Sequence, residues 1–236
     1  MENVDTKQIN IVISRYNEDL TWLYPFVSDF KITVYNKGLE LTNTRFNKII
    51  KLPNIGRESH TILYHIVNNY NSLDKYLIFL QGKIDDLYPI TFNNPKDYLK
   101  RLEKYQFSVG RLGLLGPLHW KDDLGIPYDR KYSKEWNNFK ITRSKLGFRK
   151  FSQLLFPEIP YLVATSYGGC FAVSREKILI HNKSFYEDLL YLLSHSSNPI
   201  EGHYLERLWC YMFTSNELFN LSLIDVLKTK YERIFK

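Results

Sequence analysis

Three short apolar runs, each followed by a cluster of polar residues, dominate the first third of the chain. The runs are INIVIS at residues 9–14, FKITVY at residues 30–35 and KYLIFL at residues 75–80. Their length and their β-branched and aromatic content predict buried strands of a parallel sheet. Because parallel strands end at the same edge, the polar clusters at residues 14–19, 35–38 and 81–86 are expected to line one crevice, where open α/β sheets bind ligands.

Helical spacing of apolar residues predicts most of the remaining elements. In RESHTILYHIVNN, the residues Ile62, His65, Ile66 and Asn69 fall on one face, which predicts a helix over residues 57–69. Further helices are expected at residues 20–27 (interrupted by Pro25), 95–104, 175–181, 185–195, 200–213 and 218–236, and further strands near residues 47–52 and 170–173.

The middle of the chain carries no regular pattern. Glycines interrupt residues 107–115, and residues 117–160 mix prolines, charged residues and tryptophans. A long irregular segment inside a compact domain is usually functional or mobile. The chain has no internal repeat, so we expect one α/β domain over residues 1–236, with a mostly parallel central sheet flanked by helices. Residues 111–160 would form a long irregular insertion in this domain.

Composition and charge narrow the kinds of partner. Hydrophobic residues make up 44% of the 236 residues, which suffices for a sizeable core. The 18 tyrosines and 15 phenylalanines suit both a core and a site for sugars or bases. A formal net charge of +7 favours an anionic partner such as a nucleotide phosphate. Because the basic residues form no long cluster, nucleic acid is not expected as a partner.

Cysteine usage and the absence of long apolar runs indicate the compartment. Cys170 and Cys210 belong to no CxxC motif, so neither a zinc site nor a disulfide framework is predicted. The N-terminal segment lacks the basic and apolar regions of a signal peptide. No apolar run reaches the roughly 18 residues of a membrane-spanning helix. We therefore expect a soluble cytoplasmic protein without a transmembrane segment, with peripheral membrane contact as the alternative.

Two acidic clusters are candidate cation sites. Asp85 and Asp86 follow the third apolar run, and their carboxylates suit a Mg²⁺ or Mn²⁺ ion that bridges substrate phosphates. Adjacent residues of an extended segment point in opposite directions, so only one of the two would bind the ion directly. A solvated acidic turn is the alternative, and the pair at residues 122–123 is a weaker candidate.

The predicted helix at residues 200–213 brings a histidine and a carboxylate onto one face. His203 and Glu206 are three residues apart, and such a pair in a crevice can act as a general base. Glu201 is better explained as an acidic residue that favours the helix N-terminus. Upstream, Gly168 and Gly169 allow a ligand to approach closely, whereas nothing local predicts a nucleophilic Cys170.

Five segments together resemble a known group of proteins. The segments IVISRYNEDLTWL, VYNKG, LPNIGRESHTILYHIVNNYNSLDKYLIFLQG, YGGCFAVSREKI and NPIEGHYLERLW cover most of the chain. They resemble an uncharacterised domain family related to GT-A glycosyltransferases, and large DNA viruses carry similar glycosyltransferase domains. The resemblance implies a GT-A-like, Rossmann-like fold and the transfer of a sugar from a nucleotide-sugar donor, with a UDP-sugar expected.

The resemblance also implies roles for individual residues. GT-A enzymes bind the donor nucleotide at the end of the first strand and hold a metal with an Asp-X-Asp at the end of a later one. Glu206 corresponds to the catalytic base, helped by His203 and with Glu201 as the alternative, and the insertion at residues 111–160 would shape the acceptor side. The implied donor-binding residues are Ser14, Arg15, Tyr16, Asn17, Glu18, Arg57, Gln81, Gly82 and Lys83, and the implied acceptor-binding residues are Trp120, Gly168 and Gly169.

The chain departs from the GT-A pattern at the Asp-X-Asp position, which Gln81-Gly82-Lys83 occupies. Three alternatives follow: Asp85 or Asp86 binds Mn²⁺ or Mg²⁺, Lys83 neutralises the diphosphate directly, or no metal is used. The expected reaction is an inverting hexosyl or deoxyhexosyl transfer to a glycan, a glycoprotein or another hydroxyl acceptor. The rival hypotheses are a non-catalytic carbohydrate- or nucleotide-binding domain and, from charge and aromatic content alone, a nucleic-acid-binding protein.

Overall fold

The computed structural model describes residues 5–42, 45–84, 94–110, 112–116, 146–166 and 168–223. Its strands are β1 (Ile9–Arg15), β2 (Lys31–Asn36), β3 (Lys48–Lys51), β4 (Tyr76–Gln81), β5 (Phe107–Ser108), β6 (Leu112–Leu115), β7 (Val163–Ser166) and β8 (Phe171–Ser174). Six strands form one sheet in the order β3–β2–β1–β4–β8–β5, and β6 pairs with β7 in a second sheet.

The strand β1 lies in the middle of four parallel strands. It pairs in parallel with β2 on one side and with β4 on the other, and β3 continues the sheet beyond β2. The strand β8 runs antiparallel to both of its neighbours, β4 and β5. The predicted α/β class with a mostly parallel sheet is therefore confirmed. The strand order reverses between β1 and β4, and such a switch point leaves a crevice at the carboxyl ends of the strands.

Helices cover the sheet, and the first long one has the predicted bounds. The α-helices are α1 (Arg57–Asn69), α2 (Leu99–Tyr105), α3 (Phe148–Leu155), α4 (Arg175–Ile178), α5 (Lys183–Leu193) and α6 (Ile200–Thr214). The helix predicted at residues 20–27 is a 3-10 helix, Thr21–Phe26. Pro25 lies inside it and has no amide hydrogen to donate, which disfavours an α-helix there. A 3-10 turn, Pro95–Tyr98, precedes α2.

Alternate residues of the central strands enter two separate hydrophobic cores. On β4, Leu77 and Phe79 face a core shared with α1, α5 and α6. Ile78 and Leu80 face a second core that includes Leu23 of the 3-10 helix and Leu102 of α2. Both faces of the sheet are therefore buried, as the continuous apolar runs predicted.

The structure corrects the sequence prediction in the second half of the chain. Residues 107–115, which were ambiguous, contain β5 and β6, and β7 was not predicted at all. The segment expected to be irregular contains α3, whose residues Phe148 and Phe151 are buried. An eight-residue helix and four-residue strands contain too few periods of regular spacing to be recognised from sequence.

Several predicted features lie outside the described residues. Among them are Asp85, Asp86, Trp120 and most of the expected C-terminal helix, of which residues 219–223 are helical. None of the described helices is long and apolar enough to cross a membrane.

Candidate functional site

The carboxyl ends of β1, β2 and β4 meet at one edge of the sheet, as predicted. The Gly82 amide donates a hydrogen bond to the Ser14 carbonyl over 2.8 Å, and the Lys37 amide donates one to the Arg15 carbonyl over 2.8 Å. The Ser14 hydroxyl lies 3.0 Å from that of Thr61 on α1. The first turns of α1 therefore lie beside these strand ends.

Arg15 holds the edge together. Its side chain is buried, and its Nη1 donates to the Asn36 Oδ1 over 2.6 Å and to the Leu39 carbonyl over 2.8 Å. Its Nε donates to the Glu18 carbonyl over 2.9 Å. These bonds tie the loop after β1 to the loop after β2. The guanidinium thus has a structural role here, and its predicted contact with a donor stays a prediction.

The other residues after β1 form a tight turn against β4. The Glu18 carboxylate accepts a hydrogen bond from the Tyr16 amide over 2.6 Å. The same carboxylate packs on Gly82, where an added Cβ would lie 2.6 Å from the Glu18 Oε2 and would displace the Glu18 side chain. Asn17 accepts from the Leu39 amide over 2.8 Å, and the Tyr16 ring is half exposed. Tyr16 and Asn17 are therefore the exposed residues of this predicted donor segment.

Glu58, in the first turn of α1, brings a carboxyl group to the same edge. It is buried, with 7% of its surface exposed, and its Oε2 lies 3.5 Å from the Arg57 Nε. Its carboxyl group lies next to that of Glu206 from α6. Burial and the Glu206 charge raise the pKa of Glu58 well above its ordinary value, against the opposing effect of Arg57. Sequence reasoning missed Glu58, because an acidic residue in a first turn has an ordinary explanation in the helix dipole.

The backbone at the start of α1 is strained. Arg57 has a φ of +49°, and the preceding Gly56 has a φ of +59°. A non-glycine residue in the left-handed region costs of order 1–3 kcal/mol, and such residues cluster at functional sites. The Arg57 side chain is 40% exposed, and the charges of Glu58 and Glu206 raise the pKa of this guanidinium further.

His203 and Glu206 lie three residues apart on α6, and both interact electrostatically with Arg57 at the start of α1. Burial lowers the pKa of His203, and the charges of Arg57 and Arg207 lower it further, so the imidazole is neutral near pH 7. The His203 Nε2 lies 2.8 Å from the Asn198 Oδ1, which fixes the ring. Glu201 is buried in the first turn of α6, and its Oε2 has no hydrogen-bond partner among the described residues.

The segment that precedes β8 also lies at this edge of the sheet. It contains Gly168, Gly169 and Cys170. Because β8 is antiparallel to β4, its amino end lies beside the carboxyl end of β4, where Phe171 is the partner of Phe79. Burial raises the pKa of the Cys170 thiol to about 12, so a nucleophilic role is disfavoured. Gly168 has a φ of +83°, and a Cβ at Gly169 would lie 2.5 Å from the Glu58 Cγ.

Lys37 is a second cation that sequence reasoning missed. It is buried after β2, and its Nζ donates to the carbonyls of Ile55 (2.7 Å) and Arg57. Burial lowers the pKa of Lys37 to about 8, while the Glu58 charge raises it in part. Its ammonium group thus supports the strained backbone at the start of α1.

The residues described at the end of β4 supply no carboxylate for a metal. Gln81, Gly82 and Lys83 occupy this position, and the predicted ligands Asp85 and Asp86 lie outside the described residues. Within the described ranges, no group of three or more His, Cys, Asp or Glu side chains could hold a metal ion.

The fold and this edge define a mixed α/β protein whose charged side chains gather at the switch point of its sheet. Residues 11–222 match the profile of the family described as Protein of unknown function (DUF3431), and the chain belongs to this family. Searches of curated proteins and of solved structures found no match. Membership of an uncharacterised family agrees with the sequence-based expectation, and the relation to glycosyltransferases stays a prediction.

Proposed function

We propose that the protein is a GT-A-like glycosyltransferase that moves a sugar from a UDP-sugar to a hydroxyl group of a glycan or glycoprotein. The observation that carries the proposal is the position of Glu206. This half-buried carboxylate interacts with Arg57 at the carboxyl edge of a mostly parallel sheet. A base and a cation placed together at this edge suit a displacement that releases an anionic leaving group.

Glu206 acts as the general base of this reaction. The acceptor hydroxyl gives its proton to the Glu206 carboxylate, and its oxygen forms a bond to the anomeric carbon of the donor. The bond from that carbon to the donor phosphate breaks, and its electron pair leaves with UDP. A single displacement of this kind inverts the anomeric centre. A positioned base typically contributes about 100- to 10,000-fold to the rate.

Arg57 stabilises the departing diphosphate. Its guanidinium is partly exposed and can form paired hydrogen bonds with phosphate oxygens. The left-handed backbone of Arg57, held by Lys37, fixes the start of this side chain before the donor arrives. A cation that is already in place costs little reorganisation during the reaction. Tyr16 and Asn17 at the end of β1 belong to the proposed nucleotide-binding segment.

A divalent cation would add positive charge at the diphosphate. No group of three or more His, Cys, Asp or Glu side chains in the described ranges could hold it, so the steps above are written with side chains of the chain alone. Comparing transfer with Mn²⁺, with Mg²⁺ and with a chelator tests whether a cation is required.

A non-catalytic carbohydrate- or nucleotide-binding domain is the second candidate. The observation in its favour is Gln81-Gly82-Lys83 at the end of β4, in place of Asp-X-Asp. Hydrolysis of the donor in the absence of an acceptor separates the candidates, because a binding domain does not turn over its ligand.

Two measurements test the proposal. UDP with Mn²⁺ should raise the melting temperature, since a ligand at roughly 100 times its Kd stabilises a protein by about 2.7 kcal/mol. Glu206→Gln should lower transfer by about 100-fold or more while UDP binding survives, because the amide cannot accept the proton. The control is Glu187→Gln, at an exposed carboxylate paired with Lys183 on α5. The proposal fails if no nucleoside diphosphate shifts the melting temperature, and unchanged turnover of Glu206→Gln would place the base elsewhere.

A further inference from the structure

The carboxyl group of Glu58 is confined at the edge of the sheet. Gly169 backs it so closely that a Cβ there would lie 2.5 Å from the Glu58 Cγ. The Glu58 Oε1 is buried and accepts no hydrogen bond from any of the described residues. Arg57 approaches only the other oxygen, over 3.5 Å. A buried carboxylate oxygen without a donor is costly, and protonation of the carboxyl group lowers this cost.

The group that meets Glu58 is a second carboxyl group. Glu206 of α6 contacts it, and like charges in contact inside a protein rarely ionise together. The other groups that face this pair do not neutralise two adjacent negative charges. Arg57 is the nearest cation, Lys37 donates to backbone carbonyls, and His203 and Cys170 are neutral near pH 7.

We propose that Glu58 and Glu206 share one proton in the resting protein, and that Glu58 is thereby a positioning residue that keeps Glu206 ionised and oriented. The protonated Glu58 donates its hydrogen to one Glu206 oxygen, and the second Glu206 oxygen remains available. The sharing of the proton is a property of the folded protein alone. The positioning role rests on the proposed glycosyl transfer.

The proton balance of the turnover is simple. Glu58 begins and ends the reaction protonated. Glu206 receives the proton of the acceptor hydroxyl and, because it is half-buried, releases that proton to water after the product has left. The pair works in its singly protonated form only. Activity should therefore fall at high pH, when Glu58 loses its proton.

Infrared spectroscopy tests the shared proton without any substrate. At about pH 6, where an ordinary glutamate is ionised, the protein should show the carbonyl band of a protonated carboxyl group. Glu58→Gln should remove this band, Glu206→Gln should shift it because the partner of the Glu58 proton changes, and Glu187→Gln should leave it unchanged. Absence of the band from the wild-type protein, its persistence in Glu58→Gln, or an unshifted band in Glu206→Gln would overturn the proposal. Because either variant suffices, misfolding of one does not prevent the test.

The pH profile of kcat/KM tests the positioning role. A glutamine side chain imitates the protonated form of Glu58 at every pH, so Glu58→Gln should keep transfer within about threefold at about pH 6 and should lose the alkaline decline. An unchanged alkaline decline would refute the role of Glu58. If the infrared band behaves as expected but no nucleotide sugar is turned over, proton sharing stands and glycosyl transfer is refuted.

Discussion

Acidification should destabilise the protein through His65, a core residue of α1. Its Nδ1 lies 3.1 Å from the Tyr35 hydroxyl, and its ring meets the Phe79 ring edge-on with centroids 6.0 Å apart. The Nε2 is buried and has no hydrogen-bond partner in the described part of the chain. A proton on this nitrogen would place an uncompensated charge in the core. Burial therefore lowers the pKa of His65 from 6.5 to about 4.

The sign and size of the effect follow from these two values. Between pH 6.5 and about pH 4 the unfolded state binds the proton and the folded state does not, so the free energy of unfolding falls as the pH falls. The two pKa values differ by about 2.5, and a difference of one corresponds to about 1.4 kcal/mol, so His65 contributes about 3 kcal/mol to the change in the free energy of unfolding. Glu58 acts in the opposite direction, because its raised pKa means that the folded state gains protons in the acidic range. The His65 contribution must therefore be isolated with a variant.

The variant His65→Asn isolates the contribution of His65 to the pH dependence of stability. The amide can keep the bond to Tyr35 and cannot titrate, although the lost ring contact with Phe79 lowers stability at every pH. The free energy of unfolding is measured by urea denaturation at about pH 7.5 and at about pH 4.5, and His195→Asn on the surface is the control. Over this range the variant should lose about 2–3 kcal/mol less than the wild type. Equal losses in the two proteins would refute the reasoning that His65 is neutral in the folded core.

Two further predictions concern the edge of the sheet. Gly169→Ala should displace Glu58 and reduce transfer by tenfold or more, while circular dichroism shows that the fold is retained. Gly202→Ala is the control and should be tolerated, because its Cβ would meet nothing closer than 3.9 Å. Equal activity of the two variants would contradict the close approach of Gly169 to Glu58. Arg15→Met should cost about 1–3 kcal/mol in thermal unfolding because it leaves Asn36 and the Leu39 carbonyl without their donor. Arg175→Met, at an exposed arginine 3.8 Å from Glu176, is the control, and a similar small loss in both would show that Arg15 does not hold the loops.

Much of the first half of the fold was predictable from sequence, for a physical reason. The runs that form β1, β2 and β4 are apolar on both faces, and α1 has helical spacing over its full length. The burial of each of these elements can therefore be predicted from its own residues. The elements β5, β6, β7 and α3 are short and depend on their neighbours for burial. Their sequences carried no comparable signal, and β7 and α3 were missed.

The same distinction applies to the candidate site: features that follow from local sequence were predictable, and contacts between distant segments were not. The sequence by itself determined that polar residues follow β1, β2 and β4 and that His203 and Glu206 share a helical face, because both follow from local periodicity. Only the tertiary structure decided that Glu58 meets Glu206, that Gly169 confines Glu58, and that Arg15 is occupied by backbone carbonyls. The helices α1 and α6 lie far apart in the chain, and the pairing of their carboxyl groups arises only when both pack on one face of the sheet.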